Sequence, residues 1–150
     1  MSNSGTLLEN PYHYRDPRTD GMVERVCEIV SPEQIYEQTG VQFMQINSLY
    51  QLYAAHLKTP EVLRAAHRLL TIPDLLNYWL TGRVVCEFTN ATTTQFFDAR
   101  SHSWARDLLE RLGIPTHILA PIVEPGTELG RPVPQIASLG GGGGGGAGLS

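Results

Sequence analysis

Residues 69–98 read LLTIPDLLNYWLTGRVVCEFTNATTTQFFD. Pro73 suits the first turn of a helix, where a missing N–H costs nothing. Leu75, Leu76, Tyr78, Trp79 and Leu80 give that helix an apolar face, and Gly82 can close it in the left-handed conformation. Val84 to Phe88 alternates loosely and is rich in β-formers, as is Gln95 to Asp98, so each predicts a short strand. The polar run FTNATTTQFF between apolar residues predicts a loop whose hydroxyls satisfy local backbone groups. The lip of a substrate cleft is the functional reading that competes with it.

Outward from this stretch the punctuation stays clear. Asp16 before Pro17 predicts a capped helix start, and Met22, Val23, Val26, Cys27 and Val30 then follow at helical spacing. Ser31-Pro32-Glu33-Gln34 predicts a second helix with a capping box, Ile35 and Tyr36 on its apolar face and Gly40 at its end. Asn47 is the expected cap of a third, which buries Leu49, Leu52, Tyr53 and Leu57. Thr59-Pro60-Glu61 opens a fourth carrying Val62, Leu63 and Ala66, with Leu69 and Leu70 as further candidates on it. After the Pro73 helix, another is expected from Ser103 to Leu112, stopped by Gly113. Tyr12 to Arg15 suits the end of a strand. Five prolines between Pro115 and Pro134 predict extended or turn-like chain. The seven glycines from Gly140 to Gly146 predict a disordered tail, since glycine loses most entropy on ordering. The whole reads as a mostly helical α/β segment with too few strands to close a sheet of its own.

One hundred and fifty residues are enough for one domain with a real core. The net charge is −4, and the eleven Lys and Arg are scattered, which argues against a nucleic-acid partner. No apolar run is long enough to span a membrane. MSNSGTLLEN has neither a basic n-region nor an apolar h-region, so the cytosol is the expected compartment. Cys27 and Cys86 are expected to be free thiols.

The histidines, His13, His56, His67, His102 and His117, show no metal spacing among themselves or with the cysteines. The glycine tract lacks the Gly-Lys-Ser/Thr of a phosphate loop. No Gly-x-Ser-x-Gly is present, so a hydrolase triad has no anchor. The richest chemistry lies in NPYHYRDPRTDG, residues 10–21. Aromatic faces, an arginine fork and carboxylates suit a polyol or sugar. The plainer reading is that Asp16 caps a helix while Arg15 and Arg18 pair with nearby acids, and spacing alone favours it.

Several blocks together resemble the FGGY carbohydrate kinases: NPYHYRDPRTDGM, TGVQFMQINSLYQL, the opening LLTIPDLLNYWLTGRVVCEFTNATTTQFFD, LLERLGIP and PIVEPGTELG. They come in the family's order and cover about residues 9–133. YWLTG with TNATTTQ marks the family; NPYHYRD with QFMQINSLYQL is similar to its rhamnulokinase branch.

The resemblance implies a partial actin-like, ribonuclease-H-like ATPase domain, an α/β fold that is helix-rich with few strands here. Residues 1–8 would be a flexible N-terminus, 9–133 part of the sugar-binding N-terminal domain, and 134–150 a Gly-rich disordered tail. The implied reaction is ATP-dependent phosphorylation of a ketose such as L-rhamnulose, with magnesium. The family's Asp-x-Gly phosphate loop, its Thr-Trp-Gly strand, the aspartate base of its His-Asp-Thr motif and its nucleotide-binding domain have no counterpart in this sequence. The chain by itself is therefore expected to be inactive, with no ATP or magnesium site of its own. By resemblance, Tyr14, Arg15, Asp16, Gln42 and Asn47 are secondary contacts of the sugar, and none is catalytic. Ile46 stands where some relatives use a sugar-binding tyrosine. The alternative from another class is a non-catalytic helical binding module built on the kinase scaffold.

Overall fold

The computed structural model describes residues 1–138. After a 3-10 turn at Pro17–Thr19, the helices are α1 (Met22–Cys27), α2 (Pro32–Thr39), α3 (Ser48–Lys58), α4 (Pro60–Ala65), α5 (Ile72–Thr81), α6 (Phe88–Thr92), α7 (Arg106–Arg111) and α8 (Pro134–Ala137). Four two-residue strands are interleaved: β1 (Cys86–Glu87), β2 (Phe97–Asp98), β3 (Ser103–Trp104) and β4 (Ile122–Val123). Parallel pairing joins β1 to β4, Cys86 opposite Ile122, and antiparallel pairing joins β2 to β3, Phe97 opposite Trp104. The glycine tract expected to be disordered lies outside the described residues.

Local caps account for much of this. Ser31 Oγ accepts from the Gln34 amide at 3.4 Å, and Gly40 and Gly82 end α2 and α5 with φ of +67° and +74°. Only half of the expected capping box forms, because Gln34 Oε1 is engaged by Arg111 instead.

The expected helix from Asp16 is split. Asp16 Oδ1 does accept from the Arg18 amide at 2.9 Å, but Asp20 is extended and Gly21 is left-handed at φ +71°, so α1 starts afresh at Met22. Tyr12 to Arg15 is a turn and not a strand end. The Asp16 amide donates to the His13 carbonyl and the Arg15 amide to His13 Nδ1, which curls the backbone out of an extended path.

Ser103 and Trp104 are strand and not helix, because the Ala105 amide donates to the Phe96 carbonyl at 2.9 Å and delays α7 to Arg106. The polar run from Phe88 is also corrected, from loop to α6. Glu87 caps it by accepting from the amides of Thr89 and Asn90. The hydroxyls of Thr92, Thr93 and Thr94 then donate to carbonyls three residues back. The strands expected at Val84–Phe88 and Gln95–Asp98 shrink to β1 and β2, and the proline-rich segment holds β4.

One core cluster fills the space between α1, α2, α3 and α7, with Val26, Ile35, Leu49, Tyr50, Leu109 and Phe96 buried in it. A smaller cluster gathers Cys86, Ala91, Phe97 and Ala120 around β1 and β2. Trp104 touches both, and its Nε1 donates to the Ala120 carbonyl at 2.7 Å. Leu57 and Tyr36, expected inside, are exposed, and so are Leu76, Trp79 and Leu80 of α5. The N-terminal stretch, expected to be flexible, is hydrogen-bonded to the body: the Met1 amine donates to the Arg68 carbonyl, and the His67 amide to the Met1 carbonyl.

Gly113 ends α7 at φ +73°, and a Cβ there would lie 3.0 Å from His56 Nε2. Gly113→Ala is therefore expected to cost about 1–2 kcal/mol from backbone conformation alone, read as a lower urea midpoint. An unmoved midpoint would contradict this reading of the turn.

Candidate functional site

Two of the sequence blocks meet at the N-terminal end of α3. The 3-10 turn packs on this helix, and Arg18 makes the join. Its guanidinium carbon sits 3.8 Å from the centre of the Tyr12 ring, and its Nη2 donates to Gln51 Oε1 at 3.4 Å. Gln51 Nε2 in turn donates to the Ile46 carbonyl at 2.9 Å. A line of contacts thus runs from the tyrosine-rich segment through α3 to the loop at residues 41–47.

That loop is held from beneath by amides. Asn47 is buried, and its Nδ2 donates to the Gln42 carbonyl and to Gln95 Oε1, both at 2.9 Å. Gln95 is fully buried with φ +64°, and its Nε2 donates to the Val41 carbonyl at 3.2 Å. Asn47 was expected to cap α3 with its side chain. It forms no such bond: the amides its Oδ1 would accept from donate elsewhere, Leu49 to the Thr94 carbonyl and Tyr50 to the Asn47 carbonyl, and the side chain is turned to Gln42 and Gln95.

Above this base the surface is open. Tyr12 and Tyr14 are nearly half exposed, as are Met44 and Ile46. The Arg15 guanidinium carbon lies 5.3 Å from the Tyr14 ring centre, and the His13 ring is tilted against Tyr14 at 4.5 Å. Gln42 is exposed, and Asp16 is partly buried with Oδ1 turned to the Arg18 amide. Of the five residues singled out from sequence, Tyr14, Arg15 and Asp16 stand on one segment, and Gln42 and Asn47 on the loop joined to it through Arg18 and Gln51. Aromatic faces, a guanidinium and amides in an open, half-apolar setting can hold a polyhydroxyl ligand.

Sequence reading missed Arg18, Gln51 and Gln95 as members of this assembly. Gln51 left a signal, since it lies four residues after Asn47 and so near the same face of α3. Gln95 left none, because its partners lie 48 and 54 residues away. Directly beneath, burial first and then neighbouring Cys27 push the Tyr50 phenol well above its ordinary range, so it stays neutral.

Both cysteines are free. Among the described residues no three of His, Cys, Asp and Glu come together to hold a metal ion. No described helix is long and apolar enough to cross a membrane. A hollow of about 780 Å³ lies at the far end of α3, bordered by His56, Arg64, Glu110 and Ile114.

The chain is 43% identical over 136 residues to the rhamnulokinase of Oceanobacillus iheyensis, a match covering 91% of this chain and 29% of that protein. It is 42% identical over 130 residues to the rhamnulokinase of Pectobacterium atrosepticum, covering 87% of this chain and 26% of that one. The chain thus spans less than a third of the length of these relatives. Ligand-bound xylulose kinase from Lactobacillus acidophilus superposes with a TM-score of 0.83 at 24% identity, over 93% of this chain and 29% of its own. Glycerol kinase from Plasmodium falciparum superposes at 0.79 with 19% identity, over 90% and 28%. These two likenesses show the fold: a partial α/β domain, helix-rich with few strands. The model of the FGGY N-terminal domain matches residues 1–143, and the chain belongs to the FGGY family of carbohydrate kinases.

Proposed function

We propose that this chain forms part of the sugar-binding side of a cytoplasmic, ATP-dependent ketose kinase whose substrate is L-rhamnulose. The observation that supports this most is the join between residues 12–18 and 42–47, the two blocks most like rhamnulokinases, through Arg18, Gln51 and Ile46. In this reading the Tyr14 ring meets the C–H face of the sugar, while Arg15 and Gln42 hydrogen-bond its hydroxyls. Asp16 fixes the turn, and Asn47 positions the loop. All five are binding or positioning groups.

The γ-phosphoryl transfer itself needs a phosphate cradle, magnesium and a base near the attacking hydroxyl. Among the described residues no three His, Cys, Asp or Glu side chains converge, and no step through the metal or the nucleotide is assigned to them.

The test is a transplant. These residues replace the matched stretch of the Oceanobacillus iheyensis rhamnulokinase, and ADP release is followed with L-rhamnulose and with D-xylulose. ADP release that depends on L-rhamnulose and exceeds that with D-xylulose is expected. A folded hybrid that releases none would overturn the proposal.

A further inference from the structure

The loop at residues 41–47 reads VQFMQIN and carries no charge. Its exposure alternates. Phe43 packs against the main core, whereas Gln42 and Met44 on either side of it are exposed. Where side chains alternate, residues two apart share a side, so Gln42 and Met44 face outward together. The chain then turns. The Asn47 amide donates to the Met44 carbonyl at 2.9 Å, which leaves Gln45 and Ile46 at the tip. Met44 is 45% exposed and Ile46 39%. One loop of the candidate site thus offers two kinds of group: the amides of Gln42 and Gln45, and the apolar side chains of Met44 and Ile46.

The backbone that carries them is fixed. The Ile46 carbonyl accepts from Gln51 Nε2, and the side-chain amides of Asn47 and Gln95 donate to the carbonyls of Gln42 and Val41. An apolar pair on a backbone already held in place costs little further ordering when a ligand covers it. A fully hydroxylated ketose suits such a pair poorly, because a hydroxyl set against Met44 or Ile46 loses water and gains no partner. A deoxy sugar suits it, because its methyl end carries no hydroxyl. L-Rhamnulose ends in a methyl group where L-fructose ends in a hydroxymethyl group.

We infer that Met44 and Ile46 seat this methyl group and so select a terminally deoxygenated ketose over its hydroxylated counterpart. The inference rests on the sugar-site reading above and deepens it, assigning the choice among ketoses to two residues which that reading leaves without a role.

The experiment places Met44→Gln/Ile46→Thr in the transplanted rhamnulokinase and measures kcat and KM with L-rhamnulose and with L-fructose. The unsubstituted transplant is expected to favour L-rhamnulose in kcat/KM. The polar pair is expected to lower that preference about tenfold, the low end of what one methyl-sized group commands in an apolar pocket. The change should lie in KM for L-rhamnulose, with the unfolding midpoint unmoved. Met44→Leu/Ile46→Val, which stays apolar, should keep the preference.

A preference within twofold of that of the unsubstituted transplant, at an unmoved midpoint, would overturn the inference while the kinase reading stands. A lowered midpoint with an unchanged preference would overturn it too, and would mean that polypeptide and not sugar covers the pair. If the unsubstituted transplant folds and releases no ADP with L-rhamnulose, the kinase reading fails, and the inference falls with it.

Discussion

Supplied with L-rhamnulose and ATP-magnesium, the 150-residue chain by itself is expected to release no more ADP than a sugar-free blank. In the proposed function the groups gathered at the end of α3 only bind and position. Tyr14 and Arg15 are exposed, Asp16 holds the Arg18 amide, and both Nδ2 protons of Asn47 are spent within the protein. A positioned general base is worth about 10²–10⁴-fold in rate. Holding the phosphate donor in line adds several powers of ten, up to about 10⁵ or more. Neither contribution is assigned to these residues, so the expected loss against a whole kinase is many orders of magnitude. Sugar-dependent ADP release well above the blank would refute it.

The second large effect is on stability. Asp74 is 1% exposed, yet both its oxygens are used: Oδ1 accepts from the Glu87 amide at 2.9 Å, and Oδ2 from the Thr71 hydroxyl at 2.6 Å. The carboxyl thereby closes the start of α5 and pins it to β1. Burial, with Asp74 next in effect, also holds the Cys86 thiol well above its ordinary range, so Cys86 behaves as a small core residue. Asp74→Ala leaves the partly buried Glu87 amide without its carboxylate partner. The Thr71 hydroxyl, only partly buried, can recover water. The expected cost is about 2–3 kcal/mol, seen as a lower urea midpoint with an unchanged slope. Asp74→Asn keeps the Glu87 bond by presenting its amide oxygen and should cost less. Equal midpoints for wild type and Asp74→Ala would show that α5 is not tied in this way.

Asp74 also shows what a sequence hides. Signals carried by neighbouring residues were legible: the Ser31 cap, the left-handed ends at Gly40, Gly82 and Gly113, and the burial of Ile35 on α2 and of Leu49, Leu52 and Tyr53 on α3, though not the exposure of Tyr36 and Leu57. Helix α5 was legible too, although its outer leucines and Trp79 face solvent, because apolar spacing reports a face and not what covers it. Signals that depend on distant partners were not legible. Asn47 reads as a cap, but its amide is drawn to Gln95. Ser103 and Trp104 read as helix until pairing with β2 claims them. The polar run at Phe88 read as loop because the cap of α6, Glu87, belongs to the strand before it. The candidate site followed the same division. Tyr14, Arg15, Asp16, Gln42 and Asn47 came from resemblance, whereas Arg18 and Gln51, which join the two blocks, emerged only in three dimensions.

That join is the centre of the account, and Tyr14 tests it most directly. The ring is 46% exposed, so Tyr14→Ala should leave folding alone. In the transplanted rhamnulokinase, Tyr14→Ala is expected to raise KM for L-rhamnulose roughly tenfold, about 1.4 kcal/mol of binding, with kcat little changed and the unfolding midpoint unmoved. A KM within twofold of the unsubstituted transplant, at the same midpoint, would mean that this surface does not face the sugar.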